Sequence, residues 1–227
     1  MTNETNIIWN KDQISELTEI ICQAWDKTSN GQHKLSNTIL ELSGMSGRKY
    51  RAFINNIIEN IPDARYLEIG SWAGSTACSA MWKNSCTITC IDNWSEFGGP
   101  RDIFNSNIQT VLTPCIDFKF IESDFRQVDF NNIGKYNLYL YDGPHTGQDQ
   151  YDGIRLALPA LDNEFILIID DWNWYQVQHG TKKALTELGL NIMLSLEITT
   201  TTDGSHGYPE CEHSDWHNGY FLAVVSQ

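Results

Sequence analysis

Residues 65–92 read RYLEIGSWAGSTACSAMWKNSCTITCID, and this stretch decides the predicted fold. Positions 65–70 are an apolar run closed by a glycine, as in a buried strand. Small residues over 74–82 then favour a helix, and 87–92 indicates a second strand. A strand, a helix and a second strand at this spacing predict a βαβ unit with parallel strands.

The same alternation continues along the chain. Further strands are predicted at 118–122, 137–142 and 164–170, and helices at 101–113, 149–161 and 177–188. Nearly continuous apolar strands indicate burial on both faces of the sheet. After Gly189 two strands, 191–199 and 219–225, follow each other without a helix, which predicts an antiparallel pair at the end of the sheet. The predicted fold class is α/β, with a doubly wound, Rossmann-like sheet.

The first 63 residues are predicted to form a helical N-terminal extension. Apolar residues recur at three- and four-residue spacing over 11–29 and again over 53–58, ahead of Pro62. The chain is therefore divided into this extension, 1–63, and an α/β domain, 64–227.

The charge of the chain excludes some classes of partner. Its 227 residues include 29 Asp+Glu and 15 Lys+Arg, a formal net charge of −14. Nucleic-acid affinity grows with the number of phosphates that Lys and Arg neutralise, so no nucleic-acid partner is expected. An anionic membrane surface is disfavoured for the same reason.

The sequence also favours a cytoplasmic protein. No stretch approaches the roughly 20 apolar residues of a membrane span, and the polar N-terminus lacks a signal-peptide pattern. The 6 cysteines show no CxxC pair, which is typical of reduced, mostly buried thiols.

Every predicted parallel strand ends in or beside an acidic residue. These residues are Glu68, Asp92, Glu122 with Asp124, Asp142, and Asp170 with Asp171. In a doubly wound sheet, ligands bind at the carboxyl ends of the strands. Carboxylates are costly to bury there unless they bind something, so this edge is the predicted ligand site.

A glycine turn follows the first strand of the alternation. Gly70 and Gly74 would let the backbone approach a ligand, and the next helix can hold a negative group at its N-terminus. The spacing is E-x-G-x-x-x-G, and the absence of G-x-G-x-x-G argues against NAD. Asp92 follows Glu68 by 24 positions, near the distance at which an acid holds ribose hydroxyls.

These motifs resemble a known family. EIGSWAGST at 68–76, Asp92 and Asp124-Phe125 together resemble the cofactor site of class I S-adenosylmethionine-dependent methyltransferases. DGPH at 142–145 and IIDD at 168–171 are similar to the small metal-dependent O-methyltransferases, which include macrolide sugar O-methyltransferases. The resemblance covers about residues 64–189. It implies seven strands in the order 3-2-1-4-5-7-6, with the last strand antiparallel.

The resemblance implies a role for each matching position in the cofactor site. Gly70 and Gly74 would lie under the methionine part, with Glu68 supporting that turn or the amino group. Asp92 would hold the ribose, and Asp124 with Phe125 would border the adenine. The expected cofactor-binding residues are Glu68, Gly70, Ser71, Gly74, Ser75, Thr76, Asp92, Asn93, Trp94, Asp124, Phe125 and Asp142.

It also implies a metal site and a base. Asp142, Asp170 and Asp171 would hold Mg²⁺ or Mn²⁺, and His145 would be the base. Three converging carboxylates repel each other, and a cation would keep them ionised. Oxygen ligands suit these two ions, and a metal-bound hydroxyl would lose its proton more readily to neutral His145.

Two departures from the family pattern leave the metal open. Pro144 stands where metal-dependent relatives often have an acidic or small residue, and Asn173 could complete the metal shell. Asp171 could instead cap the next helix, and His145 could be a loop histidine without a catalytic role.

Two further groups of residues have alternative interpretations. His206, Cys211, His213 and His217 are either zinc ligands or part of a polar loop on the substrate side, and their spacing favours the loop. Trp94, Trp172 and Trp174 either pack in the core or form a wall of a sugar or ring pocket.

The sequence therefore predicts an S-adenosylmethionine-dependent methyltransferase that methylates a hydroxyl of a small molecule or sugar. Specificity would lie in 1–60 and 200–218, and related enzymes often pair through N-terminal helices, which favours a homo-oligomer. One alternative is a non-catalytic cofactor-binding module of the same fold. Another is a different nucleotide-using α/β enzyme.

Overall fold

The computed structural model describes residues 5–207 and 214–227 and contains one mixed sheet. Its strands are β1 (Asn6–Lys11), β2 (Arg65–Ile69), β3 (Cys86–Asp92), β4 (Ile116–Glu122), β5 (Tyr136–Tyr141), β6 (Leu161–Asp170), β7 (Asn191–Thr199) and β8 (Tyr220–Ser226). The α-helices are α1 (Glu16–Ser29), α2 (Asn37–Leu40), α3 (Arg48–Asn60), α4 (Ser75–Met81), α5 (Arg101–Val111), α6 (Gly147–Ala157) and α7 (Tyr175–Glu187). Short 3₁₀ turns occupy Phe125–Gln127 and Leu158–Ala160.

The order of the strands confirms the predicted fold class. Across the sheet the order is β1-β7-β8-β6-β5-β2-β3-β4. Counted from β2, this is the expected order 3-2-1-4-5-7-6. Strands β2 to β6 pair in parallel, and β8 runs antiparallel to both β6 and β7.

The strand count is the first correction, because the sheet has 8 strands and not seven. β1 pairs antiparallel with β7, so the terminal pair β7–β8 does not form the edge. The N-terminal segment is therefore not purely helical, and α1 begins at Glu16 after a Ser15–Thr18 capping box. A local pattern could not show this strand, because its backbone hydrogen bonds are made to a segment far along the chain.

The sheet is covered on both faces. α1, α3, α4 and α5 pack on one face, and α6 and α7 pack on the other. Within β5 the alternation is clear: Leu138 and Leu140 face the first core, whereas Tyr139 and Tyr141 face the second. The N-terminal segment thus shares both the sheet and a core with the rest, and the division at 63/64 stays a prediction.

None of the helices in the described parts of the chain is long and apolar enough to cross a bilayer. The cysteines that the structure describes, Cys22, Cys78, Cys86, Cys90 and Cys115, all carry free thiols.

Candidate active site

A cavity of about 380 Å³ lies at the carboxyl ends of the parallel strands. Residues that follow β2, β3, β4, β5 and β6 line it, together with Met45 and the segment before β8. Of the predicted cofactor residues, the lining ones are Gly70, Asp92, Asn93, Asp124, Phe125 and Asp142. The sequence therefore located the edge of the sheet at which the cavity forms.

At Gly70 the backbone of this wall leaves no room for a side chain. The φ of Gly70 is +86°, and a Cβ there would lie 1.8 Å from the carbonyl oxygen of Asp142. The Gly70 amide donates to Ile91 O at 2.9 Å, and the Asp142 amide donates to Ile69 O at 2.9 Å. Only glycine fits this position, because the ends of three adjacent strands meet around it.

Asp92 connects the glycine turn to the loop after β3. Its Oδ2 accepts from the Trp72 amide at 2.7 Å, and its Oδ1 accepts from the Trp94 amide at 2.7 Å. Trp72 has a φ of +41°, a conformation that a bulky residue seldom adopts. The carboxylate therefore holds a strained turn in place while it lines the cavity.

The remaining predicted cofactor residues lie outside the cavity lining, and their cofactor role stays a prediction. They are Glu68, Ser71, Gly74, Ser75, Thr76 and Trp94. Gly74 starts α4 in the left-handed conformation. Ser75 Oγ lies 3.2 Å from Ser46 Oγ in the N-terminal segment. The Trp94 ring stacks on Phe120, with centroids 4.8 Å apart.

Glu68 lies behind the glycine turn and is only 1% exposed. The Tyr66 hydroxyl donates to its Oε2 at 2.5 Å. Burial raises the pKa of Glu68 to about 7, although the Tyr66 hydrogen bond opposes this shift. Glu68 therefore supports the turn from the core side.

The loop after β4 forms one end of the cavity. The Asp124 carboxylate accepts from the Arg126 amide at 2.9 Å and caps the 3₁₀ turn. The Arg126 guanidinium lies 4.4 Å from the centroid of the Phe125 ring and pairs with Asp149. Phe125 also contacts Tyr141 edge to face at 5.6 Å. Its ring is therefore held at a fixed position in the wall.

A cluster of carboxylates and imidazoles forms the other end. His145 Nε2 lies 2.7 Å from Asp171 Oδ2 and 3.9 Å from Asp142 Oδ1. Thr146 caps α6 directly after His145, which fixes where the chain turns. Burial disfavours the imidazolium, but the two carboxylates outweigh it and raise the pKa of His145 to about 10. Burial raises the pKa of Asp142 to about 6.

The two aspartates that end β6 have different surroundings. Asp170 Oδ1 accepts from the Asp171 amide at 2.6 Å, and burial beside Asp142 raises the pKa of Asp170 strongly. Burial also opposes ionisation of Asp171, yet His145 and Asn218 lower its pKa below the usual value. Asn218 Nδ2 donates to Asp171 Oδ1 at 2.6 Å. Asp171 has a φ of +57°.

The alternative that Asp171 caps the next helix is wrong. α7 begins at Tyr175, its cap residue is Trp174, and no side chain caps it. The positive φ of Asp171 turns the chain there, so its carboxylate faces His145 and not the helix amides. The Asn173 amide exchanges hydrogen bonds with Thr200, Nδ2 to Oγ1 at 2.8 Å and Oδ1 from the backbone amide at 2.8 Å.

Among the described residues, two groups of side chains have ligand atoms within 4.8 Å of one another. One group is Asp142, His145 and Asp171, and the other is Asp170, Asp171 and His217. The predicted trio of aspartates is thus divided between two groups that share Asp171. Its metal-binding role stays a prediction.

Of the three tryptophans proposed for a pocket wall, only Trp174 lines the cavity. Its ring contacts His145 and His206 edge to face, each at 4.9 Å. Trp172 is buried against Phe221. His206 and His217 of the proposed zinc set line the cavity, whereas Cys211 and His213 lie outside the described residues.

Sequence reasoning missed several lining residues, namely Met45, Trp72, Phe97 and Asn218. The two segments proposed for specificity do contribute to the walls, through Met45, His206, His217 and Asn218. No residue pattern marked Met45 and Asn218, because only the packing of the two segments over the strand ends brings them to the cavity.

Comparisons with known proteins agree with this fold. Residues 67–172 match a protein family described as a methyltransferase domain. The solved structures that resemble the chain include TrmN from Thermus thermophilus, with a TM-score of 0.56 and 14% identity. That match covers 84% of this chain, which spans only about half of TrmN, 52%. No curated protein matches the chain in sequence.

Two further solved structures align with this chain along nearly their whole length. The O-methyltransferase TomG from Streptomyces achromogenes, solved with SAM, has a TM-score of 0.51 and 11% identity over 96% of this chain and 92% of its own. An O-methyltransferase from Bacillus cereus, solved with SAH, has a TM-score of 0.51 and 13% identity over 92% and 91%. Identities this low show the fold alone.

The family match over residues 67–172 and the fold shared with these structures support a class I methyltransferase-like family for this chain. This confirms the resemblance stated from the sequence.

Proposed function

We propose that the protein transfers the methyl group of S-adenosylmethionine to a hydroxyl of a small molecule or sugar. One observation carries the proposal. A single cavity joins the Gly70 turn, Asp92 and the Asp124–Phe125 loop to the cluster of Asp142, His145 and Asp171. The first set suits a nucleoside cofactor, and the second suits removal of a proton.

The order of the strand ends suggests how the cofactor would lie. Phe125 and Asp124 would border the adenine, Asp92 would accept from the ribose hydroxyls, and the backbone at Gly70 would pass under the methionine. Asp142, at the end of β5, would then be near the sulfonium. A carboxylate there favours the positively charged cofactor over its neutral product.

The carboxylate–imidazole cluster supports a role in activating the acceptor. Asp171, 2.7 Å from His145 Nε2, would orient the ring. Because the pKa of His145 is raised to about 10, the hydroxyl proton would go to the neutral fraction of His145, which grows as the pH rises. The acceptor oxygen attacks the methyl carbon, and the S–CH₃ bond breaks with its electron pair going to sulfur. Holding the two reactants in line would lower the activation barrier of methyl transfer by roughly several kcal/mol, as proximity and orientation do in other enzymes.

The residues present also fit a divalent cation. Asp171, which belongs to both groups of potential ligand atoms, would hold it together with Asp142 or Asp170, because carboxylates crowded together remain ionised more readily beside a cation. When bound, Mg²⁺ or Mn²⁺ would supply polarisation of the acceptor hydroxyl. The chain's own groups would still orient the acceptor and receive its proton.

The walls near this cluster suggest the class of acceptor. Trp174 stands between His145 and His206, and Met45 and Trp72 add apolar surface to the lining. A sugar ring or a flat ring packs well against such side chains. We therefore propose a ring-bearing acceptor with a hydroxyl that reaches His145.

The test starts with the cofactor. Isothermal titration of the full chain with S-adenosylmethionine should show one site. A folded protein that does not bind millimolar cofactor would refute the proposal and favour a different nucleotide-using enzyme, which a thermal-shift panel of nucleotides would identify.

The second step measures release of S-adenosylhomocysteine with a panel of phenols, catechols and glycosides, followed by NMR of the product. Asp142→Asn should lower turnover at least tenfold, whereas the exposed Asp102→Asn should not. Methylation of nitrogen, carbon or sulfur would refute the O-methylation. Cofactor binding without turnover on any acceptor, including those in cell extract, would favour the non-catalytic module. Equal turnover for the two variants would refute the role of Asp142.

A further inference from the structure

His217 is a buried imidazole that the proposed reaction does not use. It lies in the segment before β8, lines the cavity, and is only 7% exposed. Its Nδ1 is buried and has no hydrogen-bond partner among the described residues. An unpaired buried nitrogen is costly, so a ligand that would satisfy it is expected.

The side chains nearest to His217 supply the rest of a ligand set. Asp170, Asp171 and His217 each offer one ligand atom, and these atoms lie within 4.8 Å of one another. All three side chains are buried, and they come from two places in the chain, the end of β6 and the segment before β8. Two carboxylates and one imidazole at this spacing can hold one divalent ion.

We infer that His217 is a metal ligand together with Asp170 and Asp171, and that the site takes a first-row transition ion such as Mn²⁺, Co²⁺ or Zn²⁺ in preference to Mg²⁺. The inference rests on the proposed function only in placing this ion beside the acceptor. Imidazole nitrogen suits transition ions, whereas Mg²⁺ prefers carboxylate, carbonyl and water oxygens.

The backbone around His217 is held from several sides. The His217 amide donates to Ser214 Oγ at 2.8 Å. The His217 carbonyl accepts from Thr200 Oγ1 at 2.7 Å, so the peptide groups on both sides of the residue are held in place. A Cβ at Gly207 would lie 2.0 Å from the same carbonyl oxygen. The φ of His217 is +43°. The imidazole is therefore presented from a fixed backbone.

The next residue orients one of the carboxylates. Asn218 Nδ2 donates to Asp171 Oδ1 at 2.6 Å, and His206 Nδ1 lies 3.3 Å from the same nitrogen. Such hydrogen bonds from outside the ligand set commonly orient metal ligands. The segment before β8 therefore supplies both a ligand and the group that positions another.

His145 is the competing imidazole, because it forms the other group with Asp142 and Asp171. Its Nε2 also makes no hydrogen bond of normal geometry, but it lies 2.7 Å from Asp171 Oδ2 and so forms an ion pair. His217 Nδ1 has no hydrogen-bond partner among the described residues. The assignment therefore leaves His145 to accept the proton and gives the ion to His217.

The experiment measures metal binding without cofactor or acceptor. The full chain is stripped with EDTA and titrated with Mn²⁺ and separately with Mg²⁺, and Co²⁺ loading is followed by its visible absorption. Mn²⁺ should bind at least about tenfold more tightly than Mg²⁺. His217→Ala should weaken Mn²⁺ binding by about 10- to 100-fold, shift the Co²⁺ bands and leave Mg²⁺ binding nearly unchanged.

The exposed His179→Ala is the matched control and should change nothing. If His217→Ala does not fold, as judged by circular dichroism, His217→Asn decides the matter with the same expected loss. Equal Mn²⁺ affinity in wild type and the His217 variant, unshifted Co²⁺ bands, or a preference for Mg²⁺ would overturn the inference. Since no cofactor is present, this result is independent of whether S-adenosylmethionine binds.

Discussion

At the scale of single residues, the site depends on a few positions where backbone and charge leave little choice. Gly70 is one, because a Cβ there would lie 1.8 Å from the carbonyl oxygen of Asp142. Glu68 is another, because a carboxyl group is buried behind the glycine turn. A substitution at either position should change the free energy of unfolding by a measurable amount.

Gly70→Ala should destabilise the protein and weaken cofactor binding at least about tenfold. The left-handed backbone alone costs a non-glycine residue about 1–2 kcal/mol, and the new Cβ would also displace the end of β5. Gly189→Ala is the control, since Gly189 has a φ of +68° and nothing within 4 Å of its Cβ position. Urea unfolding and titration with S-adenosylmethionine measure both effects. Equal cofactor affinity in the two variants would contradict the role of Gly70.

Glu68→Gln should change how stability depends on pH. The folded-state pKa of Glu68 is about 7, above the ordinary value of 4.5, so the folded state holds this proton more tightly. Between these pH values the wild type therefore loses stability as pH rises, by up to about 3 kcal/mol for this group. Below the ordinary value the contribution is fully present.

The variant should lose less stability than the wild type from pH 4.5 to 7, as measured by urea unfolding across this range. The exposed Glu187→Gln should keep the wild-type slope. Parallel curves for Glu68→Gln and wild type would show that Glu68 is ionised in the folded protein throughout.

At the scale of elements, β1 is the feature that extends the sheet. It covers the edge of β7, and its Trp9 contacts Trp25 of α1 edge to face at 5.3 Å. The strand thus connects the N-terminal helices to the far edge of the sheet. Its own outer edge has no strand partner among the described residues.

Trp9→Ala should lower the free energy of unfolding by about 1–3 kcal/mol, less than for a fully buried tryptophan because Trp9 is half-buried. Ile8→Ala, on a neighbouring position that is 46% exposed, should cost much less. Thermal and urea unfolding measure both. Cofactor affinity should stay unchanged, because β1 is distant in the sheet from β2. Equal stability of the two variants would argue against packing of β1 on α1.

At the scale of the whole molecule, the net charge of −14 opposes binding to nucleic acid. Duplex and single-stranded RNA should show no change in fluorescence anisotropy with up to about 100 µM protein at physiological salt, a range in which non-specific binders associate. A basic peptide is the positive control. Binding that weakens steeply with salt would contradict this prediction and suggest a polynucleotide acceptor.

The alternation of short apolar strands and helices was sufficient to predict the parallel core of the sheet, because a strand buried on both faces leaves a continuous apolar run. The acidic strand ends predicted where the cavity lies, since parallel strands present their carboxyl ends at one edge. Gly70, Asp92, Asp124 and Asp142 were located in this way. The position of each of these residues at or just after the end of a strand is visible in the local sequence.

Tertiary structure decided what local pattern does not encode. β1 needs the edge of β7 for its hydrogen bonds, and His217 reaches Asp170 only because β8 lies beside β6. Trp94 follows a strand end as Asp92 does, yet its ring turns to Phe120 and away from the cavity. The direction of a side chain and the pairing of distant strands depend on neighbours that are far away in sequence. The end of a strand, by contrast, depends on the residues immediately around it.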